Sequence, residues 1–115
     1  MENEQAANVE TASLTFEEKV LQTIVGVALA SIDGLISADG KFFSSMTEDL
    51  ADQSNVTSGI EVEVGKEQVA IDLEVIVAYG KDIPRLFAQI QEIVLQEVSR
   101  LTALEVKEIN IRIVD

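Results

Sequence analysis

The sequence predicts an α+β fold of two layers, in which two main helices lie on one face of a mixed three- to four-stranded sheet. Two segments place apolar residues at steps of three and four, the spacing of one helix face. Three other segments alternate apolar and polar residues, as half-buried strands do. Their order is α-β-β-α-β, and the apolar stripe of each helix needs the apolar face of the sheet for its burial.

The first helix is predicted over residues 15–32, "TFEEKVLQTIVGVALASI". Thr15 and Glu18 have the spacing of a capping box, in which each side chain satisfies a backbone donor at the helix start. Asp33 and Gly34 end the helix with a turn. The helical spacing predicts one apolar face, made of Phe16, Val20, Ile24, Val27, Ala28 and Ser31.

Residues 37–58 are predicted to form a flexible loop, because Ser, Thr, Asn and Asp dominate them. The segment "LISA", residues 35–38, overlaps the start of this loop and is compatible with a short strand. The loop contains two adjacent aromatic residues, Phe42 and Phe43. Two interpretations stay open: the rings fold back onto the edge of the core, or they form a docking site for a protein partner, since exposed apolar groups often mark contact sites.

Residues 60–79 are predicted to be a β-hairpin with "GKEQ" as its turn. The first strand alternates apolar residues with glutamates, which gives it an acidic outer face. The second strand, 69–79, is apolar throughout on one face. Its other face is polar near the start and apolar near the end, in the order Asp72, Glu74, Ile76 and Ala78.

The clearest helical pattern runs from Ile83 to Leu101. Asp82 is a suitable N-cap, and Pro84 fits the first turn of the helix, where a backbone donor is not needed. The alternation in "INIRIVD", residues 109–115, predicts the last strand. We expect the second hairpin strand, this helix and the last strand to form a right-handed crossover of the split β-α-β kind.

The composition predicts a single domain over residues 15–115, preceded by a disordered acidic tail over residues 1–14. Hydrophobic residues make up 47% of the chain, enough for a core of aliphatic side chains. The absence of Cys excludes disulfides and thiolate zinc sites. The absence of His removes the commonest general base and transition-metal ligand, and we expect no cofactor.

The net charge of −13 opposes binding to nucleic acid and direct adhesion to an anionic membrane. No run reaches the roughly 18 apolar residues of a transmembrane helix. The first residues, "MENEQAANVETAS", lack the basic start and apolar middle of a signal peptide. We expect a soluble cytoplasmic protein whose contact with a membrane requires a partner.

Asp72 and Glu74 allow two interpretations, a catalytic pair or the solvated side of a strand. Residues i and i+2 of a strand lie roughly 7 Å apart on one face, a separation found in glycosidases. However, sugar hydrolysis also needs a cleft and usually aromatic side chains, and the chain has one Tyr and no Trp. Acids alternating with aliphatics are typical of a solvated sheet face, so we expect no enzyme.

The same face offers two binding hypotheses. The alternative hypothesis is a binding site for Ca²⁺ or Mg²⁺, because hard cations prefer oxygen ligands and both hairpin strands carry carboxylates on this face. The candidate ligands are Glu61, Glu63, Asp72 and Glu74. Ile76 and Ala78 make the face neither fully polar nor fully apolar. A surface of this kind suits self-association or docking of another protein.

Several motifs together resemble the alkaline shock protein family of Gram-positive bacteria. The family's hairpin strand of the form Val-Ala-(Val/Ile)-Asp-Leu matches Val69 to Leu73, and its Tyr-Gly-x-x-Ile-Pro matches Tyr79 to Pro84. Ile-Gln in the following helix, Thr-(Gly/Ala)-Leu-x-Val and a closing Ile-Asn-Ile match Ile90–Gln91, Thr102–Val106 and Ile109–Ile111. The resemblance covers about residues 16–36 and 59–115.

This resemblance implies a non-enzymatic cytosolic protein linked to cell-envelope homeostasis and to alkaline or general stress. It also implies self-association into a homo-oligomer and a position near the membrane through a membrane-anchored relative. Within this expectation, the residues that we predict to take part in protein contacts are Phe42, Phe43, Asp72, Glu74, Ile76 and Ala78.

Overall fold

The computed structural model describes residues 10–38, 40, 43 and 59–114. Residues 1–9 of the predicted acidic tail and most of the predicted 37–58 loop therefore lie outside the described residues. The helices and strands are α1 (Glu18–Leu29), β1 (Leu35–Ser37), β2 (Ile60–Val64), β3 (Gln68–Val77), α2 (Ile83–Thr102) and β4 (Glu105–Ile113).

Strand β3 is the centre of the sheet, because it is hydrogen-bonded along both edges. One edge pairs with β4 in parallel, from the Gln68–Glu105 pair to the Val75–Ile113 pair. The other edge pairs antiparallel with β2 and then, further along, with β1. The sheet is mixed and four-stranded, which confirms the predicted α+β class and adds β1 to the predicted order.

The predicted split crossover is wrong, because β4 lies directly beside β3 with no strand between them. The physical reason is the occupancy of the edges of β3. The hairpin turn places β2 on one edge, and β1 takes the rest of that edge. The opposite edge is then free for the strand that follows α2, and parallel neighbours joined by a helix are the usual result.

Both helices pack on the same face of the sheet, as predicted. The inward side chains of β3 are Val69, Ile71, Leu73 and Val75, and each is at most 1% exposed. Helix α1 contacts β2, α2 contacts β4, and the two helices contact each other. Side chains of both helices pack with those of the sheet in one buried hydrophobic cluster. The residues that the helices contribute are Leu21, Val25, Leu29, Leu86, Ile90, Val94 and Val98.

The predicted start and apolar face of α1 need correction. The helix begins at Glu18, and its N-cap is Glu17, which makes no side-chain cap hydrogen bond, so Thr15 does not cap the helix. Val20 and Val27, predicted to face the core, are 43% and 44% exposed. Ala28 is buried and Ile24 packs against the core, as predicted, but the fully buried residues of the helix are Leu21, Val25 and Leu29. Apolar residues surround most of this helix, so two overlapping stripes satisfy the same spacing.

Helix α2 begins as predicted and ends with a sharp reversal. The Asp82 carboxylate accepts a hydrogen bond from the Arg85 backbone N–H at 3.3 Å, and a proline lies in the first turn. At the other end, Ala103 adopts a left-handed φ of 64°. The Thr102 hydroxyl donates to the Val98 carbonyl at 2.7 Å and accepts from the Leu104 N–H at 3.1 Å, which fixes the turn into β4.

Strand β4 starts earlier than predicted, at Glu105 instead of Ile109. The register shifts between the Val69–Val106 and Ala70–Glu108 pairs, which marks a bulge at Lys107. The bulge interrupts the alternation of inward and outward side chains, and this is why the sequence pattern showed only the second half of the strand.

Gly59 lies where β1 and β2 meet end to end along the edge of β3. Its carbonyl accepts from the Glu74 N–H at 2.8 Å, and its φ is +79°. A Cβ atom here would lie 2.7 Å from the Glu74 carbonyl oxygen and 3.2 Å from the Ala38 Cβ. The joint therefore requires glycine for both its conformation and its space.

Substituting Gly59→Ala is expected to lower the free energy of unfolding by clearly more than Gly80→Ala. Both positions have a left-handed φ, which costs an L-residue about 1–2 kcal/mol, but apart from its chain neighbours no described residue lies within 4 Å of a Cβ at Gly80. The steric overlap at Gly59 should add about 1–3 kcal/mol. Denaturant unfolding of both variants measures the difference, and equal losses would contradict the close contact.

The corrected face of α1 can be tested with two identical substitutions two residues apart. Val25 is fully buried and Val27 is 44% exposed. We expect Val25→Ala to destabilise the fold by about 2 kcal/mol through lost burial and a residual cavity. Val27→Ala should change stability by less than about 0.5 kcal/mol. Thermal and denaturant unfolding measure both, and a larger loss at Val27 would restore the face predicted from the sequence.

Candidate interaction surface

The face of the sheet that points away from both helices is the candidate site, and we call it the open face. Alternate residues of a strand point to opposite sides, so the residues between the buried ones form this face. Its members follow from the strand register: Ile36 from β1; Glu61 and Glu63 from β2; Ala70, Asp72, Glu74 and Ile76 from β3; and Glu108, Asn110 and Arg112 from β4.

The middle of the open face is a network of charged and polar side chains. Asp72 lies between Glu61 on β2 and Asn110 on β4. The Asn110 amide donates to the Asp72 carboxylate at 2.9 Å and to the Glu108 carboxylate at 2.7 Å. The next pair along the strands, Glu74 and Arg112, forms an ion pair at 3.3 Å. Asn110 and Arg112 of β4 therefore lie directly beside the two acids of β3.

The Glu74–Arg112 ion pair is open to solvent, since its side chains are 48% and 76% exposed. Exposed pairs of this kind contribute about 0–1 kcal/mol to stability, because water screens the charges and both side chains lose freedom. The pair therefore does little to hold the fold together. Its charges remain accessible to a partner.

One end of the open face is apolar. Ile36 on β1 is the Cα partner of Ile76 on β3. On the other side, the Val114 N–H donates to the Val75 carbonyl at 2.9 Å, which places Val114 beside Ile76. We call Ile36, Ile76 and Val114 the apolar row, and all three are half-buried. Ala78, just past β3, is half-buried at the same end.

The predicted contact residues separate into two groups. Asp72, Glu74 and Ile76 lie together on the open face, and Ala78 follows at its apolar end. Phe43 is 0% exposed and belongs to the core cluster, which agrees with the interpretation in which its ring folds back onto the core. Phe42 lies outside the described residues.

Ile36 is the surface residue that sequence reasoning missed. It belongs to a three-residue strand, too short for its alternation to be distinguished from a loop. Only the pairing of β1 with the end of β3 brings Ile36 next to Ile76. The available signal was the segment "LISA", in which Ile36 lies between Leu35 and Ser37, and the structure shows that both of these neighbours are buried.

The open face combines exposed charged side chains with an apolar end. Asp72 and Glu74 are both exposed, although they line a depression of about 580 Å³ on this face. Within residues 10–38, 40, 43 and 59–114, no three acidic residues converge closely enough to hold a metal ion. The four carboxylates of the cation hypothesis therefore do not form a common site.

Neither α1 nor α2, the helices of the described part of the chain, combines the length and apolarity needed to cross a membrane.

The fold and the open face define a small α+β domain in which both helices pack on one side of a four-stranded sheet. The model of the alkaline shock protein 23 family, described as having a cell envelope-related function, matches residues 6–115. The chain therefore belongs to this family, the alkaline shock proteins that its motifs resemble. No solved structure matches the chain.

Several curated relatives from Streptococcus pyogenes, including one from serotype M1, carry the name stress response regulator gls24 homolog. The M1 relative is 43% identical over 102 residues, which covers 89% of this chain and 57% of the relative. The uncharacterized protein YqhY of Bacillus subtilis is 31% identical over 96 residues, covering 84% of this chain and 70% of YqhY. The chain thus spans somewhat more than half the length of its streptococcal relatives.

Millimolar Mg²⁺ or Ca²⁺ is expected to leave the melting temperature unchanged, compared with NaCl at equal ionic strength. The salt control matters because any cation screens the repulsion within a chain of net charge −13. Specific binding would stabilise the folded state by mass action. The cation site would be established instead if the divalent cation raises the melting temperature above that in NaCl and the Asp72→Asn variant shows no such rise.

Proposed function

We propose that this protein is a non-enzymatic component of the cell-envelope stress response, which acts through self-association and through binding to a membrane-anchored partner. Two comparisons support the proposal. The alkaline shock protein family has a cell envelope-related function, and relatives with 43% identity are named stress response regulators. The resemblance of its motifs to the alkaline shock proteins supports alkaline or general stress as the setting.

The observation that carries the proposal is the apolar row at the end of the open face. Isoleucine and valine side chains on a sheet face that neither α1 nor α2 covers leave apolar surface in contact with water. The row is bordered by the exposed Glu74–Arg112 pair. An apolar centre beside accessible charges is the usual composition of a protein contact site.

The charge of the chain supports a protein, rather than the lipid surface, as the point of attachment at the envelope. A net charge of −13 is repelled by an anionic cytoplasmic leaflet. A cytoplasmic position next to the membrane then requires a partner that is itself anchored there. We propose a partner with an apolar patch and basic side chains, complementary to the apolar row and to the acids beside it.

The arrangement of the acids supports a role without catalysis. Asp72 is hydrogen-bonded to Asn110 and Glu74 is paired with Arg112, so each carboxylate is engaged by a side chain of β4. Acid–base catalysis by two carboxylates needs an enclosed site that distinguishes the two groups. Asp72 and Glu74 line the depression on the open face, and both residues remain exposed to solvent.

Ile76→Lys is expected to release the protein from the membrane fraction of an alkali-stressed host that naturally encodes it, because a charge in the apolar row opposes docking. Val27→Lys is the matched control, since Val27 is an exposed apolar residue on the helical side of the fold. The measurement is the distribution of each variant between membrane and soluble fractions.

Wild type and Val27→Lys should sediment with the membranes, and Ile76→Lys should not. Unchanged melting temperatures would show that both variants fold. If Ile76→Lys fractionates like the wild type, the apolar row is not the docking surface. If the wild type itself is found entirely in the soluble fraction under stress, the proposed attachment to the envelope is wrong.

A further inference from the structure

Strand β4 has one edge that pairs with β3 and a second edge that pairs with no strand among the described residues. Val75 is the Cα partner of Ile113, and the Val75 carbonyl accepts a hydrogen bond from the Val114 N–H. In the part of β4 after the bulge, the backbone N–H and C=O groups of the even-numbered residues therefore point toward β3. The N–H and C=O groups of Ile109, Ile111 and Ile113 then point to the second edge. Such an edge is a template for strand addition.

The side chains along this edge are also less buried than those of the neighbouring strand. Ile71, Leu73 and Val75 on β3 are at most 1% exposed, whereas their β4 partners are half-buried or, at Ile113, 42% exposed. Beside Ile113, an apolar groove of about 240 Å³ runs toward α2 and is lined by Ile83 and Phe87 among others. Those two side chains are 46% and 42% exposed.

The segment Glu108-Ile109-Asn110-Ile111-Arg112 is self-complementary for antiparallel pairing. Ile109 and Ile111 lie one residue before and one residue after Asn110. Glu108 and Arg112, two residues away on either side, have opposite charges. The segment also carries no net charge, in a chain whose net charge is −13. Two copies can therefore approach here without the repulsion that the rest of the surface imposes.

We propose that β4 pairs antiparallel with β4 of a second copy of this chain, with a twofold axis at Asn110. Ile109 then lies opposite Ile111 of the other copy, and the two residues exchange two backbone hydrogen bonds. The twofold axis generates the same pair a second time, between Ile111 and Ile109 of the other copy. Glu108 lies opposite Arg112 of the other copy, on the open face, twice. This inference rests on the proposed function, because it specifies the surface by which the protein self-associates.

The charges and the bulge select this register over its neighbours. An axis at Ile109 places Glu108 opposite Asn110 and extends the pairing across the bulge at Lys107. An axis at Ile111 places Glu108 opposite Val114 and Arg112 opposite Asn110. Only the axis at Asn110 gives two cross-strand pairs of opposite charge and stays within the regular part of the strand.

The dimer has a consequence for the open face. A twofold axis perpendicular to the sheet leaves the helices of both copies on the same side. The two open faces then join into one continuous surface, with the charged networks near the axis and the two apolar rows at opposite ends. One dimer would present two docking sites for the membrane-anchored partner and bind it with increased avidity.

Sedimentation velocity over a range of concentrations tests the pairing with reciprocal charge variants. Glu108→Arg places like charges opposite each other at both pairs, and so does Arg112→Glu. Each alone should weaken self-association by roughly tenfold or more. An equimolar mixture of the two variants restores opposite charges at both pairs and should associate like the wild type, as should the double variant.

Glu63→Arg is the matched control, because it changes the net charge as Glu108→Arg does but lies on β2. It should associate at least as well as the wild type, since it reduces overall repulsion. If the wild type associates and Glu108→Arg does not weaken it, or if the mixture fails to recover, the β4 pairing is wrong while self-association stands. If the wild type is monomeric at all concentrations, self-association itself is wrong.

A second measurement does not depend on charge. The chain has no Cys, so Asn110→Cys introduces a single thiol at the axis. Directly opposite residues of this non-hydrogen-bonded type have Cα atoms about 4.5 Å apart, which a disulfide can span. Mild oxidation should cross-link Asn110→Cys into a dimer and leave Glu63→Cys monomeric, and equal cross-linking of both variants would contradict the register.

Discussion

The structure depends on β3 being hydrogen-bonded on both edges while one of its faces is buried under the helices. Its inward side chains, Val69 to Val75, are the centre of the core, and β1, β2 and β4 take their positions from it. Loss of a neighbouring strand would leave backbone donors and acceptors of β3 without partners, which is costly where the helices shield them from water. The outward residues of the same strand, Asp72, Glu74 and Ile76, are therefore held on a rigid support.

Rigidity on one face and accessibility on the other connect the fold to the proposed role. Preorganised side chains lose little freedom when a partner binds, so even modest contacts contribute to affinity. In the proposed role, the apolar end of the open face makes the contact and its charged middle orients the partner. In the proposed dimer, the second edge of β4 adds a contact of a different kind, based on backbone hydrogen bonds.

Sequence reasoning succeeded where the two sides of an element differ in polarity. In β3, Asp72 and Glu74 alternate with buried aliphatics, and the Asp82 cap of α2 was predicted. It was only partly right for α1, where Ile24 and Ala28 face the core but Val20 and Val27 do not, because apolar residues occur almost all around the helix. It also missed the start of β4 and the pairing of Ile36 with Ile76, because a bulge and a contact between distant segments leave no local pattern.

Hydrogen–deuterium exchange at low and high protein concentration tests most directly whether this sheet has a rigid centre and an edge that pairs with a second copy. The β3 amides should exchange slowest at both concentrations, since they open only with global unfolding. The amides of Ile109 and Ile111 should exchange quickly in the dilute protein and slow down as concentration rises. Concentration-dependent protection confined to β2, or fast exchange of β3 throughout, would contradict this description of the molecule.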